Sequence, residues 1–91
     1  MLNEPYPLPF LGREDYETFR GLNGSDLPDT YDEWFKLHSK QKLDRSRVGY
    51  VVKEIQVDPN EFVRFCATRR IVPNGDSLLK FAFGKNAGEN Y

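Results

Sequence analysis

Val48-Gly49-Tyr50-Val51-Val52-Lys53-Glu54-Ile55-Gln56-Val57 is the one stretch of this chain rich enough in β-branched and aromatic residues to read as a strand. A strand standing alone leaves a row of N–H and C=O groups without partners, so something must complete it. Two candidates exist: antiparallel pairing with the same stretch of a second copy across a two-fold axis, and addition of the chain's own N-terminal arm. Self-pairing is favoured, because a symmetric pair buries the same patch on both subunits and removes one exposed edge. Within the strand, Val51, Ile55 and Val57 share one side with Lys53, and Val48, Tyr50 and Val52 share the other with Glu54 and Gln56. Apolar residues on both sides near Tyr50 to Val52 predict a middle that is sandwiched and a polar second half nearer solvent.

Upstream, Thr30-Tyr31-Asp32-Glu33 fits a capping box and opens a helix over 30–45, with acids in its first turn and Lys40, Lys42 and Arg45 near its end. Tyr31, Trp34, Phe35 and His38 fall on one face of it and Leu37 widens that face, which makes Trp34 and Phe35 the expected anchors of a core or main interface. A short helix over 14–21 precedes it, with Tyr16 and Phe19 on one face and Gly21 and Gly24 ending it. Residues 1–12 interleave Pro5, Pro7 and Pro9 with Tyr6, Leu8, Phe10 and Leu11, a pattern too proline-rich for a helix or a central strand. That segment is expected to be an extended arm docked through its apolar side chains.

Downstream, the chain turns sharply from strand to helix at Asp58-Pro59-Asn60-Glu61, where Asp58 suits the N-cap and Pro59 the first helical position. Phe62, Val63, Cys66 and Ala67 make the apolar stripe of that helix. Ile71-Val72-Pro73-Asn74-Gly75 reads as a turn, followed by a short helix over 78–83 that Asp76 or Ser77 caps and Gly84 closes. The tail, 85–91, has no core-forming pattern and is expected to be loose. The fold class is therefore α+β: one domain over 13–84 in the order α-α-β-α-α, with an arm at 1–12, a tail at 85–91, and a minimal sheet completed by the arm or by a second subunit.

At 91 residues a single small core is all the chain can hold, and such cores rarely supply more than about 3–5 kcal/mol, which leaves room for a second chain to add stability. The single cysteine, Cys66, rules out an internal disulfide framework and makes a reducing cytoplasm the default location. No apolar window approaches the roughly 20 residues of a membrane helix, and the N-terminus lacks a secretory pattern.

Charge is segregated: residues 1–35 carry eight acids against Arg13 and Arg20, and residues 36–53 carry six bases (Lys36, Lys40, Lys42, Arg45, Arg47 and Lys53) against Asp44. Acids beside a helix start and bases beside its end both favour the macrodipole, so helix electrostatics accounts for most of this pattern, with the acidic first third expected to lie near the basic segment. The other reading is a nucleic-acid-binding surface on the six bases, with Tyr50 stacking on a base.

Side chains able to do chemistry are sparse. His38 is the only histidine, and one His with one distant Cys cannot make a zinc site. As a general base it would need an orienting carboxylate, and the sequence names none. Cys66 lies on an apolar helix stripe and reads as a small hydrophobe, although Arg69 and Arg70 follow a turn later. The carboxylates cluster in first helical turns, where capping explains them. Gly21-Leu22-Asn23-Gly24-Ser25 lacks the spacing and the lysine of a phosphate loop. The expected function is accordingly non-enzymatic, without cofactor, metal or small-molecule substrate: a protein-binding module, favoured as a homodimer, acting through Tyr6, Phe10, Trp34, His38, Tyr50 and Phe83. The nucleic-acid accessory protein is the alternative.

Overall fold

The computed structural model describes residues 5–91, so the first four residues of the arm, including Glu4, lie outside it. Proline at every second position is compatible with a strand only if all the prolines turn the same way, away from the partner, because none has an N–H to give. That is the arrangement adopted. The arm forms β1 (Pro5–Phe10) and pairs in parallel with β2 (Val51–Gln56), in the register Pro5↔Val51 to Phe10↔Gln56. The Phe10 carbonyl accepts from the Val57 N–H at 3.0 Å, which fixes the phase: Tyr6, Leu8 and Phe10 bond to β2, and Pro5, Pro7 and Pro9 turn outward.

The arm thus fills one edge of β2, the second of the two completions that the sequence offers. The element order becomes β-α-α-β-α-α. A 3₁₀ turn (Arg13–Asp15) leads into α1 (Tyr16–Arg20), then α2 (Tyr31–Arg47), β2, α3 (Pro59–Arg69) and α4 (Gly75–Asn86). The domain is a small mixed α+β unit with a two-stranded parallel sheet.

Helix α2 starts at the expected box, with the Thr30 hydroxyl accepting from the Glu33 N–H and the Glu33 carboxylate accepting from the Thr30 N–H. It runs to Arg47, two residues further than expected. Val48, Gly49 and Tyr50 then form its C-terminal turn, with their N–H groups on the carbonyls of Arg45 and Ser46 and Gly49 at φ +100°. The strand therefore begins at Val51, not Val48. The left-handed turn at Gly49 is what lets the chain leave the helix and reverse into the sheet within three residues.

Asp58 caps α3, its carboxylate accepting from the Glu61 N–H at 3.0 Å. Helix α4 is longer than expected at both ends: Asn74, not Asp76 or Ser77, is the cap, accepting from the Ser77 N–H at 3.0 Å, and Gly84 sits inside the helix rather than closing it. Residues 85–91, expected to be loose, extend α4 to Asn86 and then return, laying the Tyr91 ring 4.7 Å from Phe65 and 5.2 Å from Phe81.

The core is Leu11, Tyr16, Phe19, Trp34, Val57, Phe62, Phe65, Cys66, Leu78 and Phe81. Two tyrosines tie loops to it by donating to carbonyls, Tyr16 to Pro28 at 2.6 Å and Tyr31 to Leu11 at 3.0 Å. In β2 only Val57, just past its end, is fully buried; Val51 is 59% exposed, so the expected sandwiching of the strand's middle does not occur. A sheet of two strands is too narrow to be sandwiched throughout, and α4 packs mainly against β1.

Candidate interaction surface

The six aromatic and histidine residues singled out by sequence resolve into two clusters. Tyr6 and Phe10 occupy the same face of β1, four residues apart, and each organises one. Tyr6 lies with its ring centroid 5.2 Å from Tyr50 and 5.5 Å from Phe83, edge-on to the latter, and the Arg45 guanidinium sits over it at 4.7 Å. This outer cluster reaches solvent: Phe83 is about half exposed, Tyr6 and Tyr50 are half-buried, and the adjacent Val48 and Val51 are open. A cation over an aromatic face contributes about 0.5–1 kcal/mol at such a site and fixes the ring, presenting a pre-organised apolar patch with a charged rim.

Phe10, Trp34 and His38 form the inner cluster, with Phe10 5.8 Å from Trp34 and 5.6 Å from His38 and the imidazole stacked on the indole at 4.8 Å. Both α2 side chains are buried, so this group belongs to the core. His38 also has the orienting carboxylate that the sequence could not name. Its Nε2 donates to Glu54 Oε2 at 2.7 Å, and Lys42 Nζ lies 3.6 Å from the same oxygen. The hydrogen bond from His38, reinforced by the charge of Lys42, holds the Glu54 carboxyl below the ordinary carboxylate range against the opposing effect of burial. Beside this cluster, Trp34, Leu37, His38 and Gln41 of α2 line a cleft of about 300 Å³ together with Pro9 and Leu78.

Phe35 and Leu37, expected on the buried face of α2, are 44% and 55% exposed. The inward face is narrower than the apolar pattern suggested, because only two strands lie beneath the helix. Glu54 and the exposed Leu43 are the features that sequence reasoning missed, and Phe35, read there as an anchor, lies on the exposed flank instead. Glu54 lies 16 positions from His38, and only the path of the chain through the Gly49 turn brings the two together.

The basic segment is partly neutralised from within. Lys40 pairs with Asp44 at 3.1 Å, Lys42 with Glu54, and Arg45 rests on Tyr6, while Lys36, Arg47 and Lys53 have no ion pair among the described residues. Of the acids of the first third, Asp32 pairs with Arg13 at 3.0 Å and Glu17 with Arg20 at 2.8 Å, and among the described residues none forms an ion pair with the basic segment expected beside them. Cys66 is buried, and burial pushes its thiol up from the ordinary value. Arg69, a candidate to activate it, lies instead over Phe65 at 4.3 Å. No helix among the described residues is long and apolar enough to cross a membrane. Compared with known protein families, curated proteins and solved structures, the chain matches none.

Proposed function

We propose that the protein is a non-enzymatic protein-binding module, working as a homodimer, whose contact surface is the Tyr6, Tyr50 and Phe83 cluster rimmed by Arg45. The observation that carries this reading is the outer cluster itself: Tyr50 and Phe83 with their ring centroids within 5.5 Å of that of Tyr6, Phe83 about half exposed, and the open valines 48 and 51 beside them. Rigid aromatics with an arginine at the rim are the composition that dominates binding energy at protein interfaces. The inner cluster of Phe10, Trp34 and His38 anchors the same strand to the core four residues further along.

A photoreactive phenylalanine analogue placed at position 83 tests the reading. Nuclease-treated native lysate is expected to give a discrete protein adduct that Tyr50→Ala and Arg45→Ala weaken without lowering the melting temperature by more than a few degrees. Salt separates the alternative. A partner held through phosphates by Lys36, Arg47 and Lys53 loses affinity steeply and linearly in log salt, whereas an apolar patch does not. Nuclease-sensitive capture with that slope counts against the protein-binding reading.

A further inference from the structure

We infer that the outer edge of β2 binds the same edge of a second copy, antiparallel about a two-fold axis centred on Glu54, to give a four-stranded sheet in the order β1-β2-β2-β1. The inference rests on the homodimer in the proposed function and gives it a seam of its own, separate from the aromatic patch. Its starting point is the difference between the two edges of the sheet. On β1 the outward positions are Pro5, Pro7 and Pro9, which offer no N–H, and α4 packs against that strand. On β2 the phase set by the bond from Val57 to Phe10 turns the N–H and C=O groups of Val52, Glu54 and Gln56 outward, and no group among the described residues pairs with them. One edge is closed chemically and the other is open.

This asymmetry selects the geometry. Docking of β2 onto β1 of the next copy, which would propagate into a fibre, fails because the outward phase of β1 has no donors. Strand pairing between copies is left with β2 on β2, and a two-fold axis makes that antiparallel. Outward groups must face outward groups, so residues of equal parity are opposite each other. Pairing centred on Glu54 places Val52 opposite Gln56 and uses every outward group of the three residues. Centring on Val52 would instead call on Tyr50, whose N–H is already bonded to the Arg45 carbonyl. Centring on Lys53 would oppose two lysines that have no ion pair among the described residues. Two Glu54 carboxylates do meet at the chosen centre, each already held by its own His38 and Lys42.

The helix layer agrees. At about 100° per residue, Phe35, Ser39 and Ser46 fall within about 60° of Lys42, the residue that reaches over β2 to Glu54, and Leu43 lies next round the helix. Ser39, Lys42, Leu43 and Ser46 line a shallow open groove there, and Phe35 and Leu43 are 44% and 51% exposed. Helix α2 lies over both β1 and β2, so on one side of the joined sheet the two α2 helices are separated by about two strand spacings of roughly 4.8 Å each, close to the distance at which helices pack. The unfinished helix flank and the unfinished strand edge lie on the same side of the subunit and are covered by one partner.

Sedimentation velocity over the micromolar range and cysteine pairing across the axis test the inference together. The wild type is expected to shift to twice the monomer mass. Val52→Pro removes an outward N–H without touching the bonds to β1, and Leu43→Glu alters only the exposed helix flank; each is expected to weaken the dimer roughly tenfold or more, the second guarding against misfolding of the first. In the predicted register Lys53 faces Ile55 of the second copy, so an equimolar mixture of Lys53→Cys and Ile55→Cys forms a disulfide-linked dimer under mild oxidation while neither variant does alone. A strictly monomeric wild type, or crosslinking within a single variant, overturns the inference. Crosslinking at position 83 reads the aromatic patch separately, so a monomer that still captures a protein there sinks the strand pairing and the homodimer with it, and leaves the aromatic contact surface standing.

Discussion

Glu54 Oε2 lies 2.7 Å from His38 Nε2, joining the middle of β2 to the centre of α2. Because the folded state holds this carboxyl below its ordinary range, its ionisation contributes stability that is complete above the unfolded glutamate pKa and is lost as pH falls through the folded value. Thermal melts from neutral to acid pH are expected to show this loss below the ordinary glutamate range in the wild type. In Glu54→Gln that part of the loss should be missing, leaving a flatter acid limb. Equal acid limbs in the two proteins would show that the pair contributes nothing to folding.

Trp34→Ala should cost about 3–5 kcal/mol, because the indole is buried among Phe10, Tyr16, Tyr31 and His38. That is comparable with the whole stability of a small single core, so the variant is expected to be largely unfolded at 25 °C. Phe35→Ala, on the exposed flank of the same helix, should cost less than about 1 kcal/mol. Urea melts followed by circular dichroism compare them.

The phase of the prolines predicts opposite outcomes at neighbouring positions. Leu8→Pro removes a ladder N–H and a buried side chain, and should destabilise by about 3 kcal/mol or more. Pro5→Val, at an exposed outward position, should shift stability by no more than about 1 kcal/mol. The same melts check both.

Asp58→Ala is expected to cost about 0.5–2 kcal/mol by removing the bond to the Glu61 N–H. At the other end of α3, Arg70 occupies the left-handed cap position at φ 55°, so Arg70→Gly should raise stability by up to about 1 kcal/mol. A loss at Arg70→Gly would mean that the guanidinium makes a contact outweighing the backbone strain.

How far sequence reasoning reached depended on the range of the interaction. The capping box at Thr30, the cap at Asp58 and the extended arm are local chemistry, settled within four residues, and they appear in the fold as the residue types require. The parallel pairing of the arm was open in the sequence because the prolines argued only against a central strand and an edge strand leaves no stronger signature. The bond between His38 and Glu54 was out of reach for a different reason: it depends on the three-residue turn at Gly49 carrying β2 back beneath α2. Phe35 misled because an apolar stripe records what a helix could bury, and a sheet of two strands covers less of it.

The parallel register also sets an order of events. Pro5 pairs with Val51, so β1 has no partner within the chain until everything between them exists, and its prolines leave it only one edge able to form a ladder in the meantime. A nascent chain must carry Tyr6, Leu8 and Phe10 unshielded while α1 and α2 emerge, and only the arrival of residues 51–57 gives them a place to go. The blunted edge of β1 therefore matters before the protein is folded: with one edge closed by proline, the exposed apolar segment can join a neighbour on one side only and cannot be extended on both sides into a stack.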